Sequence, residues 1–170
     1  MEYFESPSEP MPPVKNVYSS NSIFLAGSIT GASDWQSKMA GDLGSFLNVF
    51  NPRRKNFDVN NPKMEREQIT WEFKCLGFCD HIMFYFGPET LAPITLFEYG
   101  KWLNESKNGI KKLYICIHPE YKRKNDIIIQ TELENPDLCK NIVFKLSDLK
   151  PLIIARNMQL FLNSNKTNPL

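Results

Sequence analysis

The chain has 170 residues, 42% of them hydrophobic and 23% charged, which is enough for one domain with a proper core and too few for two comfortable ones. A net charge of +1 and a pI near 7.6 give no bulk electrostatic pull toward a nucleic acid polymer, an anionic membrane or an acidic partner, so the expected ligand is a small molecule. No apolar run approaches the roughly 20 residues of a membrane span, and the cysteines at 75, 79, 116 and 139, with no secretory leader before them, read as reduced thiols of a cytoplasmic protein.

The opening stretch, MEYFESPSEPMPPV, is acidic and proline-rich where a signal peptide is basic and then apolar. Residues 1–20 are therefore expected to form a flexible arm ahead of a single domain at 21–162. The first strand is expected at 22–26, SIFLA, and the loop after it, AGSITGAS, offers Gly27, Ser28, Ile29, Thr30 and Gly31. Its permissive backbone and hydroxyls suit a phosphate or a sugar, although it lacks the lysine of a P-loop and the glycine spacing of a dinucleotide loop, and a tight turn accounts for it equally well. A helix fits 34–47 and a short strand 48–50. Asn51 and Pro52 then end that strand, and Arg53 and Arg54 present planar donor forks suited to phosphate or carboxylate, or else form a solvated basic turn.

The next helix, expected at 64–79, carries Glu72 in the middle of an apolar arc of Cys75, Leu76 and Cys79, with Thr70, Lys74 and Gly77 on the polar side. The two cysteines four apart, with His81 close by and His118 far along the chain, read as buried small hydrophobes and not as a zinc site. A strand at 81–86, HIMFYF, leads to a helix at 92–106 opened by Pro93, on which the nearest neighbours of Glu98 along its face are Ile94 and Trp102. Two acids facing inward on helices at the same sheet edge are the equipment of glycosyl transfer, one attacking an anomeric carbon and the other assisting a proton. The alternative reading of each is a buried salt bridge or a cap. Further strands are expected at 112–117 and 141–146, helices at 125–134 and 148–162, and a loose tail at 163–170. The alternation predicts an α/β fold: a flavodoxin-like, doubly wound sheet of five mainly parallel strands with helices on both faces.

Taken in order, IFLAGSI, VFNPRR, ITWEFKCLGFCDHIMFYF, PITLFEYG and HPEYKRKND resemble the nucleoside 2-deoxyribosyltransferase-like proteins over about residues 22 to 150. The resemblance implies that Glu98, in FEYG, is the nucleophile that takes the deoxyribosyl group. It implies that Glu72 contacts the base or assists its departure, and that Gly27, Ser28 and Ile29 line the sugar or a 5′-phosphate. It also implies a nucleoside or nucleotide substrate, no metal or organic cofactor, and a homo-oligomer; in some transferases of the family a neighbour's C-terminal carboxylate enters the site, a place that would fall to Leu170 here, and the sequence leaves that open. The chain departs from the family at Ala92, where an aspartate reads the base, and at Phe24, where a tyrosine orients the nucleophile. The basic NPRR and YKRKND stretches predict better turnover of deoxynucleoside monophosphates than of nucleosides. Two other classes stay open: a catalytically inactive nucleotide-binding module, and an FMN carrier, which would be yellow.

Overall fold

The computed structural model describes residues 2–7, 21–109 and 111–166, with side chains as far as residue 157. Five strands, β1 (Tyr3–Glu5), β2 (Ser22–Gly27), β3 (Asn48–Asn51), β4 (His81–Phe86) and β5 (Lys112–Ile117), form one sheet in the order β1-β3-β2-β4-β5, every pair parallel. The helices are α1 (Trp35–Leu43), α2 (Pro62–Phe78), α3 (Pro93–Ser106), α4 (Lys124–Glu134), the single turn α5 (Pro136–Cys139) and α6 (Leu146–Lys166). None of the described helices is long and apolar enough to cross a membrane.

The continuous apolar runs of β2, β4 and β5 are buried on both sides, as strands covered by two layers of helix must be. On one face Ile23, Leu25, Val49 and Met83 pack with Trp35, Met39 and Leu43 of α1 and Leu149 and Ile153 of α6. On the other, Phe24, Ala26, Phe50, Phe84 and Phe86 pack with Trp71, Cys75 and Leu76 of α2, Tyr99 and Trp102 of α3, and Ile127 of α4. This is the expected doubly wound α/β architecture. After β2 the strands are added first on one side, β3, and then on the other, β4 and β5, so the loops following β2 and β4 flank the crevice where ligands of such sheets sit.

Three expectations change. The run at 141–146 is not a strand: α5 ends at Cys139 and α6 begins at Leu146, which leaves room for a single parallel bridge of Val143 to Cys116. The fifth strand comes instead from the stretch read as an arm. Phe4 stacks on Phe50 with ring centroids 4.6 Å apart, and this contact with the backbone pairing to β3 holds β1 at the opposite edge. Helix α6 also runs four residues past its expected end at 162, into the segment read as a tail. Residues 8–20 and 167–170, the rest of the arm and tail with Leu170, lie outside the described residues.

At the sheet's N-terminal edge His81 is buried, 5.8 Å from the Tyr114 ring, and its burial pushes the imidazole down from 6.5 to about 4. A base with a depressed pKa contributes stability that is complete above pH 6.5 and is lost as pH falls through 4, here up to about 3 kcal/mol. His81→Phe keeps a ring beside Tyr114 and cannot take a proton. Denaturant melts of the two proteins are expected to diverge in the variant's favour as pH falls across that window.

Candidate active site

Helix α3 turns Thr95, Tyr99, Trp102 and Leu103 onto the sheet and leaves Ile94, Phe97 and Lys101 toward solvent. Glu98 falls between these faces, on the flank turned to α2. Its expected apolar frame is half right: Trp102 is buried, but Ile94 is 66% exposed because the first turn of α3 rotates it away from the core. Facing it, α2 buries Cys75, Leu76 and Cys79 and exposes Thr70, Lys74 and Gly77, as the sequence pattern requires, which sets Glu72 into the seam. The Lys101 ammonium lies 4.8 Å from the centroids of both Phe73 of α2 and Trp102 of α3, tying the two helices at the rim.

Glu98 senses the charge of Glu72. Burial pushes Glu98 up from 4.5 to about 8, the negative charge of Glu72 adds to the rise, and Lys101 only partly opposes it. Burial also raises Glu72, against a hydrogen bond from Gln68 that favours its ionised form. Among the described residues neither acid has an ion-pair partner. A carboxylate held for a buried salt bridge would have one. What remains is a pair of acids in which Glu98 keeps its proton up to about pH 8 while a hydrogen bond favours the ionised form of Glu72, the kind of inequality that lets one carboxyl act as base or nucleophile while the other acts as acid.

The loop residues form a second, connected network along the C-terminal edge. Gly27 passes so close to its neighbours that a Cβ there would come within 2.6 Å of the Trp35 ring and 2.7 Å of the Tyr85 carbonyl oxygen. Ser28 pairs its hydroxyl with Thr90 at 2.6 Å, and its carbonyl accepts from Trp35 Nε1 and Gln36 Nε2, both at 3.2 Å. The Ile29 carbonyl closes a turn by accepting from Ala32 N. Asn51 donates to the Tyr3 hydroxyl and accepts from the Arg53 backbone N–H, each at 2.9 Å. Ala92 sits buried at φ +47° as the N-cap of α3 with no side-chain cap, a left-handed conformation that costs a non-glycine residue about 1 kcal/mol or more. Phe24 lies beneath Trp71, ring centroids 6.1 Å apart, on the same face as the acid pair. From HPEYKRKND, Tyr121 donates its hydroxyl to the Leu91 carbonyl and so steadies the turn that leads into α3.

The arginines are engaged within the protein. Arg53 donates through Nε to Gln36 Oε1 at 3.1 Å and through Nη2 to the Ser33 carbonyl at 2.8 Å, and it pairs with Asp34 at 3.1 Å. Arg54 pairs with Glu67 at 2.6 Å. Arg53 thus clamps the loop between β2 and α1. Arg53→Met is expected to cost about 2 kcal/mol in denaturant unfolding and to speed amide exchange over residues 28–36, whereas a solvated rim arginine would change neither.

Sequence reasoning missed Gln68, whose amide lies between Glu72 and the loop after β3. Its i, i+4 spacing to Glu72 was a readable signal, but its other contacts depend on the fold. The family profile described as nucleoside 2-deoxyribosyltransferase like matches residues 20–121, from the start of β2 through Tyr121, and so takes in both acids and all of the edge network except Tyr3. The chain belongs to that family. A comparison with curated proteins gives no significant match. Membership makes glycosyl transfer on a nucleoside-type small molecule the class of chemistry against which the acid pair is to be read.

Proposed function

We propose that the protein breaks the N-glycosidic bond of a 2′-deoxynucleoside or its 5′-monophosphate through a covalent intermediate on Glu98. The Glu98 carboxylate attacks C1′, the bond from C1′ to the base nitrogen breaks, and the departing base takes a proton from Glu72. A second nucleobase or water then attacks C1′ from the other side and releases the carboxylate, with the proton returned to Glu72. Without a 2′-hydroxyl the oxocarbenium-like charge forms more easily, so a carboxylate of modest activation suffices. The observation that carries this reading is the half-buried carboxyl couple on α2 and α3, in which the charge of Glu72 helps to raise Glu98 and neither acid has an ion-pair partner among the described residues. The engagement of Arg53 and Arg54 takes away the NPRR half of the reason for preferring monophosphates, so the reading includes nucleosides and nucleotides alike.

The same reading includes a homo-oligomer in the cytoplasm. Phe73 and Phe97, 66% and 76% exposed beside the acid pair, offer apolar surface that a second copy would cover. The test is incubation with the four deoxynucleosides and their monophosphates, with and without a free acceptor base, with products resolved by chromatography and the protein by intact mass. Base release with a transient deoxyribosyl adduct is expected, and no release from any of them would overturn the proposal. A second reading, an inactive nucleotide-binding module, draws on Ala92 and Phe24, neither of which can hydrogen-bond a base or orient Glu98. It predicts binding without release in the same experiment.

A further inference from the structure

Gln68 is the most fully constrained polar side chain near the acid pair. Buried in the first half of α2, it brings its Nε2 to 2.6 Å from the Pro52 carbonyl and 2.8 Å from Glu72 Oε1, and its Oε1 to 2.5 Å from Ser6 Oγ. A carbonyl oxygen can only accept, so the Pro52 contact fixes which end of the amide is nitrogen. Both N–H groups are then assigned, one to Pro52 and one to Glu72, and Ser6 must be the donor to Oε1. Ser6 is itself anchored by its backbone N–H to the Asn51 carbonyl at 3.1 Å. The amide cannot turn over without leaving a buried carbonyl unpaired, which is the costly alternative. Glu72 Oε1 is therefore held as an acceptor. Glu98 has no corresponding donor among the described residues. Ser6 lies outside the region matched by the family profile, so this lock is completed by the turn that follows the chain's own N-terminal strand.

We propose that Gln68 is the positioning residue that makes the two carboxyls unequal: clamped by Pro52 and Ser6, its amide holds Glu72 as the acid that ionises first, so that Glu98 keeps its proton until a substrate displaces it. This inference rests on the glycosyl-transfer reading only for its catalytic meaning; the inequality itself is a property of the empty protein. The other charged groups near Glu98 are Lys101 on its own helix and Glu72 on α2, while Asp126 and Glu134 of α4 border a separate cavity on the far flank of α3, with Tyr99 and Leu103.

The test is a carbon-13 titration of the glutamate side chains, assigned with Glu72→Gln and Glu98→Gln, in the wild type, Gln68→Met and Ser6→Ala. Gln68→Met keeps the length of the side chain and removes both donors. It is expected to move the Glu72 midpoint up by about one to two pH units, a 10- to 100-fold change in proton affinity on the scale of one hydrogen bond to a charged group. With Glu72 less often charged, the Glu98 midpoint should fall, so that the two approach each other. Ser6→Ala, which leaves Gln68 in place but frees its carbonyl, should shift both in the same directions by less, and it carries the test if Gln68→Met does not fold. Unmoved midpoints in a folded variant would overturn the inference. A wild type that releases no base while the midpoints shift on substitution would keep this inference and remove the proposed function. Base release with unmoved midpoints would remove this inference alone.

Discussion

Glu98→Gln is expected to abolish turnover and at the same time to stabilise the protein. Removing the nucleophile of a covalent route leaves no substitute, so the rate should fall roughly 10³-fold or more, with no adduct in the intact mass spectrum. The stability gain follows from the ionisation of the acid. A carboxyl raised from 4.5 to about 8 in the folded state contributes stability that is complete below pH 4.5 and is lost as pH rises through 8, because the unfolded chain ionises where the folded chain does not. The wild-type penalty reaches at most about 5 kcal/mol in mildly alkaline solution. A glutamine of the same shape escapes it in both states. Thermal melts at pH 9 should therefore place the variant higher by about 10 °C, with the gap closing toward pH 4.5. A carboxylate held for a buried ion pair would behave in the opposite way, losing about 3–5 kcal/mol on neutralisation. A melting point that falls on substitution would thus return Glu98 to a structural role.

The parts of this fold that were legible from sequence are those where one local pattern decides. Strands β2, β4 and β5 announce themselves because six-residue apolar runs have no other place to go than between two layers of helix. Both acids stood out in the sequence because a glutamate in an apolar arc conflicts with its surroundings, and the fold sets both half-buried on the facing helices α2 and α3. Strand β1 was not legible. It is three residues long, sits in an acidic, proline-rich leader, and owes its place to the stack of Phe4 on Phe50, which is invisible until β3 is in position. The run at 141–146 has the composition of a strand and pairs through Val143 alone, because it follows directly on the turn of α5 and the long helix α6 already starts at Leu146.

The arginines illustrate the same limit at the site. Their position after β3 was readable, but whether a guanidinium meets a ligand or the protein depends on acceptors distant in sequence. For Arg53 these are the Ser33 carbonyl and Gln36, and they come within reach only when the loop after β2 folds over the end of β3. Ser6 and Gln68 meet across 62 positions for the same reason. The candidate chemistry was therefore visible in outline from helical periodicity, while the supports that would tune it are products of tertiary structure.

The second large effect is expected at Glu72, and its signature is a change in the shape of the pH profile. A pair that must present one carboxylate and one carboxylic acid works only while it holds a single proton, so wild-type kcat/KM should be bell-shaped, rising as Glu72 first ionises and falling through about pH 8 as Glu98 loses the last proton. On the assignment proposed for Gln68, the productive arrangement, with the proton on Glu72, is the minor one before substrate binds; this lowers the height of the bell and leaves its limbs in place. Glu72→Gln removes proton donation to the base, a loss of about 10²- to 10⁴-fold. It also removes the charge that helps to raise Glu98, so the nucleophile should ionise at lower pH. The remaining activity should then rise with pH to a plateau where the wild type declines, and a deoxyriboside whose leaving group departs without a proton should recover most of the lost rate. A Glu72→Gln profile that keeps its alkaline limb near 8, with no recovery on the activated substrate, would show that the two acids do not divide the work as nucleophile and acid.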